Sequence, residues 1–103
     1  MDPKEELKKK LPDRAAVAKV VRFKFMPYDD EADHVIDGCE SLTRFYTGEI
    51  PHLGDFLTAV VKDHLHEAFG RADECNIKHM WTYLAFIHNN IPVSLVGEAR
   101  NDS

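Results

Sequence analysis

Apolar residues recur at helical spacing in three segments of the chain, residues 31–46, 55–69 and 74–88. At about 100° of rotation per residue, this spacing places the apolar side chains on one face of a helix. The first segment has the stripe Val35, Cys39, Leu42 and Tyr46, flanked by Ile36 and Phe45. The second has Leu57, Val60, Val61, His64, Leu65 and Ala68, and the third has Ile77, Met80, Trp81, Leu84 and Ile87. The pattern predicts a mainly α fold, a small three-helix domain.

Helix-ending residues separate the three predicted helices. Gly48 is expected to stop the first helix, and Asp55 provides an acidic residue at the start of the second, which the helix dipole favours. Gly70 is expected to close the second helix in the left-handed conformation, which glycine adopts without steric cost. Asp73 is then a cap for the third helix, which ends before Pro92. The second and third helices should therefore form a hairpin with a very short turn.

Two features of the first helix concern its contacts. Glu40 precedes Arg44 by four residues, which is the favourable order for an ion pair on a helix surface. Gly38 weakens the middle of the helix, and its lack of a side chain allows another helix to approach closely. We therefore expect this helix to have a paired polar face and a close neighbour.

A basic N-terminal arm, residues 1–27, precedes the predicted helical core of residues 28–92. Within the arm, residues 2–11 are predicted to form a short helix that Pro12 ends. Residues 15–26 fit two patterns. A helical stripe would contain Val17, Val20 and Val21, whereas a strand would alternate Val21, Phe23 and Phe25. A helix passing into an extended tail is the favoured interpretation.

The C-terminal end of the chain has a weaker pattern. Residues 93–96 are predicted to form a short strand or an extended tail, and residues 97–103 are predicted to be disordered. With 103 residues, the chain is long enough for one hydrophobic core, so residues 1–103 are expected to form a single domain.

The segment Pro51–Asn76 resembles a segment of small phage and prophage proteins. That segment reads roughly P-x-G-x-F-L-x-A-V-L-x-N-D-L-x-E-A-x-G-R-A-D-x-x-N, followed by an aromatic-rich helix and an N-x-x-P stop. The matching residues are Pro51, Gly54, Phe56, Leu57, Ala59, Val60, Leu65, Glu67, Ala68, Gly70, Arg71, Ala72, Asp73 and Asn76, and then Asn89 and Pro92. The resemblance implies a phage or prophage protein in a bacterial host cytoplasm, and it implies no particular activity.

Charge is distributed unevenly along the chain. Residues 1–25 carry eight Lys/Arg and four Asp/Glu, a formal charge of +4, whereas the remaining residues carry five and fourteen, a charge of −9. The arm could therefore dock on nucleic acid, on an acidic partner, or on the acidic body of its own chain. The overall acidity makes nucleic acid an unlikely partner of the surface as a whole.

Several function classes have no support in the sequence. No run of residues approaches the eighteen or so apolar positions of a membrane span, so we expect no membrane partner. The charged N-terminus lacks the apolar segment of a signal peptide, and the two cysteines are expected to be reduced thiols in a cytoplasm. No catalytic motif is present, so the protein is not expected to be an enzyme, and no cofactor is predicted.

Three polar groups have both a functional and a structural interpretation. His64 in the apolar stripe could be a pH-sensitive group, although a half-buried histidine bonded to a neighbouring helix end is favoured. Cys75 and His79 are four residues apart, but without a C-x-x-C or H-E-x-x-H motif no metal site is predicted. Arg71 could bind an anion at a helix N-terminus, although pairing with Asp73 or Glu74 is favoured.

The leading hypothesis concerns the far side of the third helix. His79, Tyr83 and Phe86 lie away from its core stripe, so the arm, a second subunit or a partner must cover them. The tentative contact residues are His79, Tyr83, Phe86, Arg71, Lys78, Lys19, Arg22 and Lys24. The expected function is inhibition of a host or anti-phage defence protein by binding. The alternatives are an oligomer that binds a nucleotide-like anion, and a nucleic-acid-binding protein that uses the arm.

Overall fold

The computed structural model describes residues 2–24, 32–72 and 78–101. Within these ranges the chain forms seven α-helices and no β-strand. The helices are α1 (Pro3–Lys10), α2 (Arg14–Lys24), α3 (Ala32–Thr47), α4 (Asp55–Val61), α5 (Leu65–Arg71), α6 (Met80–Asn90) and α7 (Val93–Asn101). The prediction of a mainly α fold is confirmed, with more and shorter helices than the sequence pattern indicates.

The short helix α1 is stabilised at its ends. The Asp2 side chain accepts a hydrogen bond from the backbone N–H of Lys4 at 3.1 Å, and Pro3 occupies the first turn, where its missing N–H is not needed. Acidic residues in the first turn and lysines in the last turn both complement the helix dipole. The buried Leu7 anchors α1, which packs against α3 and α7.

The second part of the arm is helical as well. Asp13 accepts a hydrogen bond from the backbone N–H of Ala16 at 3.0 Å, which caps the start of α2. Val17 and Val21 are buried, and α2 packs on α3. The helical interpretation of this segment is therefore confirmed as far as Lys24. The predicted extended tail lies outside the described residues.

Helix α3 is the central element of the fold. Val35, Cys39 and Leu42 are fully buried, so the predicted stripe faces the core. Gly48 follows the helix with φ of 85°, and the N–H groups of Gly48 and Glu49 donate to the carbonyls of Phe45 and Arg44. This pair of bonds is a Schellman motif, so the predicted glycine stop is confirmed.

The polar face and the glycine of α3 also follow the prediction. Glu40 Oε2 and Arg44 Nη2 are 3.1 Å apart. A methyl group added at Gly38 would lie 2.6 Å from Cε1 of Tyr83. The lack of a side chain at Gly38 therefore leaves room for the ring of Tyr83 against α3.

The prediction of one helix over residues 55–69 is wrong, because α4 and α5 are separated by a turn. Asp63 has φ of 61°, and the N–H groups of Asp63 and His64 donate to the carbonyls of Val60 and Ala59. This is a second Schellman motif, and its left-handed residue is aspartate. Gly70, the predicted stop, instead lies inside α5.

The C-terminal prediction is also wrong, because residues 93–101 form the helix α7. Pro92 ends α6, but its carbonyl accepts from the backbone N–H groups of Leu95 and Val96, which starts a new helix. Ile91 and Leu95 are both buried, one helical turn apart. Burial of this apolar pair against α1 and α4 explains why the segment is ordered as a helix.

Candidate functional site

Helix α6 carries the aromatic residues that the sequence proposed as a contact surface. The structure places them in the core: Tyr83 is 1% exposed, Phe86 is 0% exposed and His79 is buried. The Tyr83 ring lies edge-on to Phe56 of α4, with 5.6 Å between ring centroids. The prediction that these side chains lie on the side of the helix away from the core is therefore wrong, and their cover is within the chain. Gly38 of α3 and Phe56 of α4 both contribute to the cover of Tyr83.

The opposite side of α6 faces solvent. Trp81, which the pattern assigned to the core, is 79% exposed. Leu84 and Ala85 are half-buried and His88 is exposed, and these positions follow Trp81 at three, four and seven residues. Side chains at this spacing share one helix face. We call Trp81, Leu84, Ala85 and His88 the outer face of α6.

No signal in the sequence separates this outer face from the inner one. Both sides of α6 carry large apolar residues, so the helical period fits more than one orientation. A helix of this kind is oriented by the shapes of its neighbours. Here the fit of Tyr83 against Gly38 and Phe56 decides the orientation and leaves the indole of Trp81 outside.

Arg71 holds two helices together. Its Nε lies 3.1 Å from Oε1 of Glu67 in α5, and its Nη1 lies 3.3 Å from Oδ2 of Asp55 at the start of α4. The predicted partners Asp73 and Glu74 lie outside the described residues. Because two carboxylates already neutralise the guanidinium, Arg71 is poorly suited to bind an additional anion. Lys78, another of the predicted contact residues, is exposed.

Two arginines of the basic arm form ion pairs with acidic residues of the same chain. Arg22 Nη2 lies 3.3 Å from Oδ1 of Asp33 in α3. Arg14 pairs with Asp37 and, at 3.4 Å, with Glu40, and the hydrogen bond to Asp37 is the main cause of its raised pKa. The basic arm and the acidic body are therefore partly complementary within the molecule.

The other two predicted cations of the arm lie further along the same helix. Lys19 is exposed on α2. Lys24 ends α2, and its side chain lies outside the described residues. The described part of the arm thus combines ion-paired arginines with an exposed lysine.

Within residues 2–24, 32–72 and 78–101, side chains that could act as metal ligands do not form a cluster. Burial raises the pKa of the Cys39 thiol to about 12, so this cysteine stays protonated and unreactive. His64 is half-exposed, with its Nδ1 3.7 Å from Oε2 of Glu67, and it lies at the start of α5 rather than in the middle of one long helix. No group of three or more His, Cys, Asp or Glu side chains converges among the described residues, and Cys75 is outside them.

Exposure thus separates the sequence-predicted contact residues into two groups. Lys19, Arg22, Arg71 and Lys78 are exposed, whereas His79, Tyr83 and Phe86 are core residues. No helix in the described part of the chain is long and apolar enough to cross a membrane. The chain matches no family model, and no curated protein or solved structure is significantly similar to it.

Proposed function

We propose that this protein acts by binding a protein partner through the outer face of α6. The observation that supports the proposal is the exposure of Trp81, at 79%. Tryptophan is usually well buried, and it is enriched among the residues that dominate the binding energy of protein interfaces. Its ring supplies a large apolar area at a small cost in conformational entropy.

The surroundings of Trp81 suit such a contact. Leu84 and Ala85 extend the apolar surface along the helix, and the exposed His88 adds a polar group one turn further on. An apolar centre with a polar rim is the usual arrangement of a protein interface. The outer face is part of a regular helix, so little ordering is needed when a partner binds.

The class of partner follows from the resemblance of Pro51–Asn76 to phage and prophage proteins. A small phage protein that acts by binding is suited to inhibit a host or anti-phage defence protein. A second copy of the chain is the other occupant that the outer face could accept, since a patch of this kind can pair with itself across a two-fold axis.

The test is recovery of the tagged protein from a bacterial host lysate, followed by native mass spectrometry. We expect a host protein at fixed stoichiometry with the wild type and with Phe69→Ala, and its loss with Trp81→Ala. Phe69 is a suitable control because it is a half-exposed aromatic residue on a different helix, α5. Recovery of the bare monomer from wild type, or of a complex that Trp81→Ala leaves intact, would contradict the proposal.

The arginines that the two alternatives would use are already paired with acidic residues of the same chain. A nucleotide-like anion would need Arg71, which is paired with Glu67 and Asp55. A nucleic acid would need the arm, where Arg14 and Arg22 pair with acids of α3. Binding to nucleic acid would weaken steeply as salt increases, so a titration at two salt concentrations separates it from binding through an apolar face.

A further inference from the structure

A cavity of about 240 Å³ lies between the C-terminal part of α3 and the helices α4, α6 and α7. Tyr46 near the end of α3 and Ile91, just after α6, line it together with residues of the other helices. Leu84 and His88 belong both to this lining and to the outer face of α6, whereas Trp81 is not part of the lining. The cavity is therefore a candidate site beside the proposed protein-binding surface and distinct from the exposed indole.

Most side chains of the lining are apolar. Val60 and Val61 from α4 and Ile87 from α6 are buried, and Leu84 and Val96 are half-buried. An apolar recess binds water poorly and is stabilised when an apolar molecule fills it. Apolar walls with a few polar groups are typical of small-molecule sites.

The buried tyrosine of the lining adds no polar contact to this wall. Tyr46 is 4% exposed, and its hydroxyl oxygen is buried from solvent. A hydrogen bond needs direct contact between donor and acceptor, so this hydroxyl is out of reach of a molecule in the cavity. The buried side chains that the structure describes in this lining therefore offer a ligand apolar surface and no hydrogen-bonding group.

The two charged residues of the lining have opposite signs. Asp63 is negative and Arg100 is positive, and both are exposed. Asp63 repels a ligand anion and Arg100 repels a ligand cation, so the pair provides no net attraction to an ion of either sign. A charged ligand would also lose hydration on entering an apolar recess, and no net counter-charge compensates for that loss. The lining therefore favours a neutral ligand.

We propose that this cavity binds a neutral, mainly apolar small molecule with one hydroxyl or amide group at its exposed end. The apolar body of the ligand lies against Val60, Ile87 and Val96. Its polar group lies on the exposed side of the cavity, with Asp63, His88 and Arg100. A hydroxyl is both a donor and an acceptor, which suits neighbours that include a carboxylate, an imidazole and a guanidinium.

The volume of the cavity limits the size of the ligand. A protein cavity of about 150 Å³ holds one benzene molecule, so a volume of about 240 Å³ holds about ten non-hydrogen atoms. 2-Phenylethanol and 1-heptanol are close to this size, and they represent aromatic and aliphatic alcohols. A nucleotide is too large for this space.

The test is isothermal titration calorimetry with these two alcohols, each compared with the amine and the carboxylate of the same carbon skeleton. We expect the alcohol of better shape to bind with a Kd between about 10 μM and 1 mM, a range suited to a ligand of this size. Its amine and its carboxylate are charged at neutral pH and should each bind at least about tenfold more weakly. Failure of both alcohols to bind at millimolar concentration, or equal binding of either ion, would overturn the proposal.

A variant that fills the cavity locates the bound alcohol. Val96→Phe should weaken its binding at least about tenfold, because the larger side chain takes up part of the volume. Val20→Phe is the matched control, since Val20 is also a half-buried valine but lies on α2, outside the lining. Unchanged affinity in Val96→Phe, with native circular dichroism, would exclude this site.

Two exposed substitutions test the balance of charge without altering the core. Asp63→Asn should strengthen binding of the carboxylate about threefold, and Arg100→Gln should strengthen binding of the amine about threefold, as expected for single exposed charges. Asparagine also tolerates the left-handed conformation of Asp63. Arg22→Gln on α2 is the control and should change neither affinity. Unchanged affinity for both ions in both variants would contradict the proposal, whether or not Val96→Phe folds.

The two proposals can fail separately. An alcohol that binds the wild type and Trp81→Ala equally supports the cavity without supporting a protein partner. Capture of a partner that Trp81→Ala removes and Val96→Phe retains supports the outer face of α6 alone.

Discussion

Helix α3 and the segment containing α4, α5 and α6 differ in how clearly their sequence specifies their structure. In α3 the predicted stripe is buried and the predicted glycine ends the helix. In α4 and α5 an unpredicted turn divides one expected helix into two. In α6 Met80 and Ile87 are buried as predicted, but Trp81 is exposed, and Tyr83 and Phe86 are buried instead. Both regions consist of α-helices. Their sequences differ in how many helical arrangements they permit.

The helix ends illustrate this point. α3 and α4 both end in a Schellman motif, with Gly48 at the left-handed position of one and Asp63 at that of the other. A glycine in the sequence indicates such a position, because glycine adopts the left-handed conformation without steric cost. Aspartate tolerates the left-handed conformation but also occurs throughout helix surfaces, so it gives no clear signal.

The helix faces show the same contrast. The side of α3 opposite its stripe carries exposed polar residues such as Asp33, Asp37 and Arg44, so one orientation alone buries apolar area. α6 has tryptophan on one side and tyrosine and phenylalanine on the other. Either side could be buried, and packing decides between them.

A substitution on the buried face of α6 should have the largest effect on stability. Phe86→Ala should lower the free energy of unfolding by about 3–5 kcal/mol, because a fully buried aromatic side chain leaves a cavity. Such a loss approaches the total stability of many domains of this size. Urea unfolding followed by circular dichroism measures it. A change below about 1 kcal/mol would mean that Phe86 is not in the core.

The burial of the α3 stripe can be tested by measuring how the stability of the protein depends on pH. The pKa of Cys39 is raised from 9.0 to about 12, so the folded state holds its proton where the unfolded state releases it. Stability should therefore be retained below pH 9 and fall as pH rises towards 12, by up to about 1.4 kcal/mol for each pKa unit. Urea unfolding from pH 8 to 10 measures the slope.

The control for this titration uses a background that removes the second thiol. In Cys75→Ser the alkaline slope should persist, and adding Cys39→Ala should reduce it, even though the second change also removes some packing. Equal slopes with and without Cys39 would show that its thiol is accessible to solvent.

The two Schellman motifs form a matched pair. Gly48→Ala should destabilise the protein by about 1–2 kcal/mol, because alanine is strained at φ of 85°. Asp63→Gly should instead stabilise the protein, by less than about 1 kcal/mol. Glycine relieves the strain of the left-handed conformation, and the greater entropy of the unfolded chain offsets part of that gain. Thermal unfolding of the two variants measures the difference. The same sign for both would contradict a shared backbone geometry.

A substitution on the outer face of α6 should have the smallest effect on stability. Trp81→Ala should change the free energy of unfolding by less than about 0.5 kcal/mol, because the indole is 79% exposed. Together with Phe86→Ala, this variant reports directly which side of α6 is buried. A loss of more than about 2 kcal/mol for Trp81→Ala would show that the sequence-predicted stripe is the correct one.

The candidate sites follow the same division. An exposed tryptophan cannot be recognised from spacing alone when the opposite face of its helix is also aromatic. The cavity near Tyr46 requires α7, a helix that the sequence pattern predicts as an extended tail. Arg100 becomes part of this lining only because Pro92 starts a helix that returns along the core.

The sequence by itself determined that this chain is mainly helical, where α1 and α3 lie, and which face of α3 is buried, and it favoured a helix at α2 without excluding a strand. These features depend on local rules: helical period, capping and the conformational freedom of glycine. Tertiary structure decided the break at Asp63, the orientation of α6 and the folding of α7 onto the core. At each of these places the local pattern permits more than one arrangement, and the choice rested on contacts between residues far apart in the chain, such as Tyr83 against Gly38.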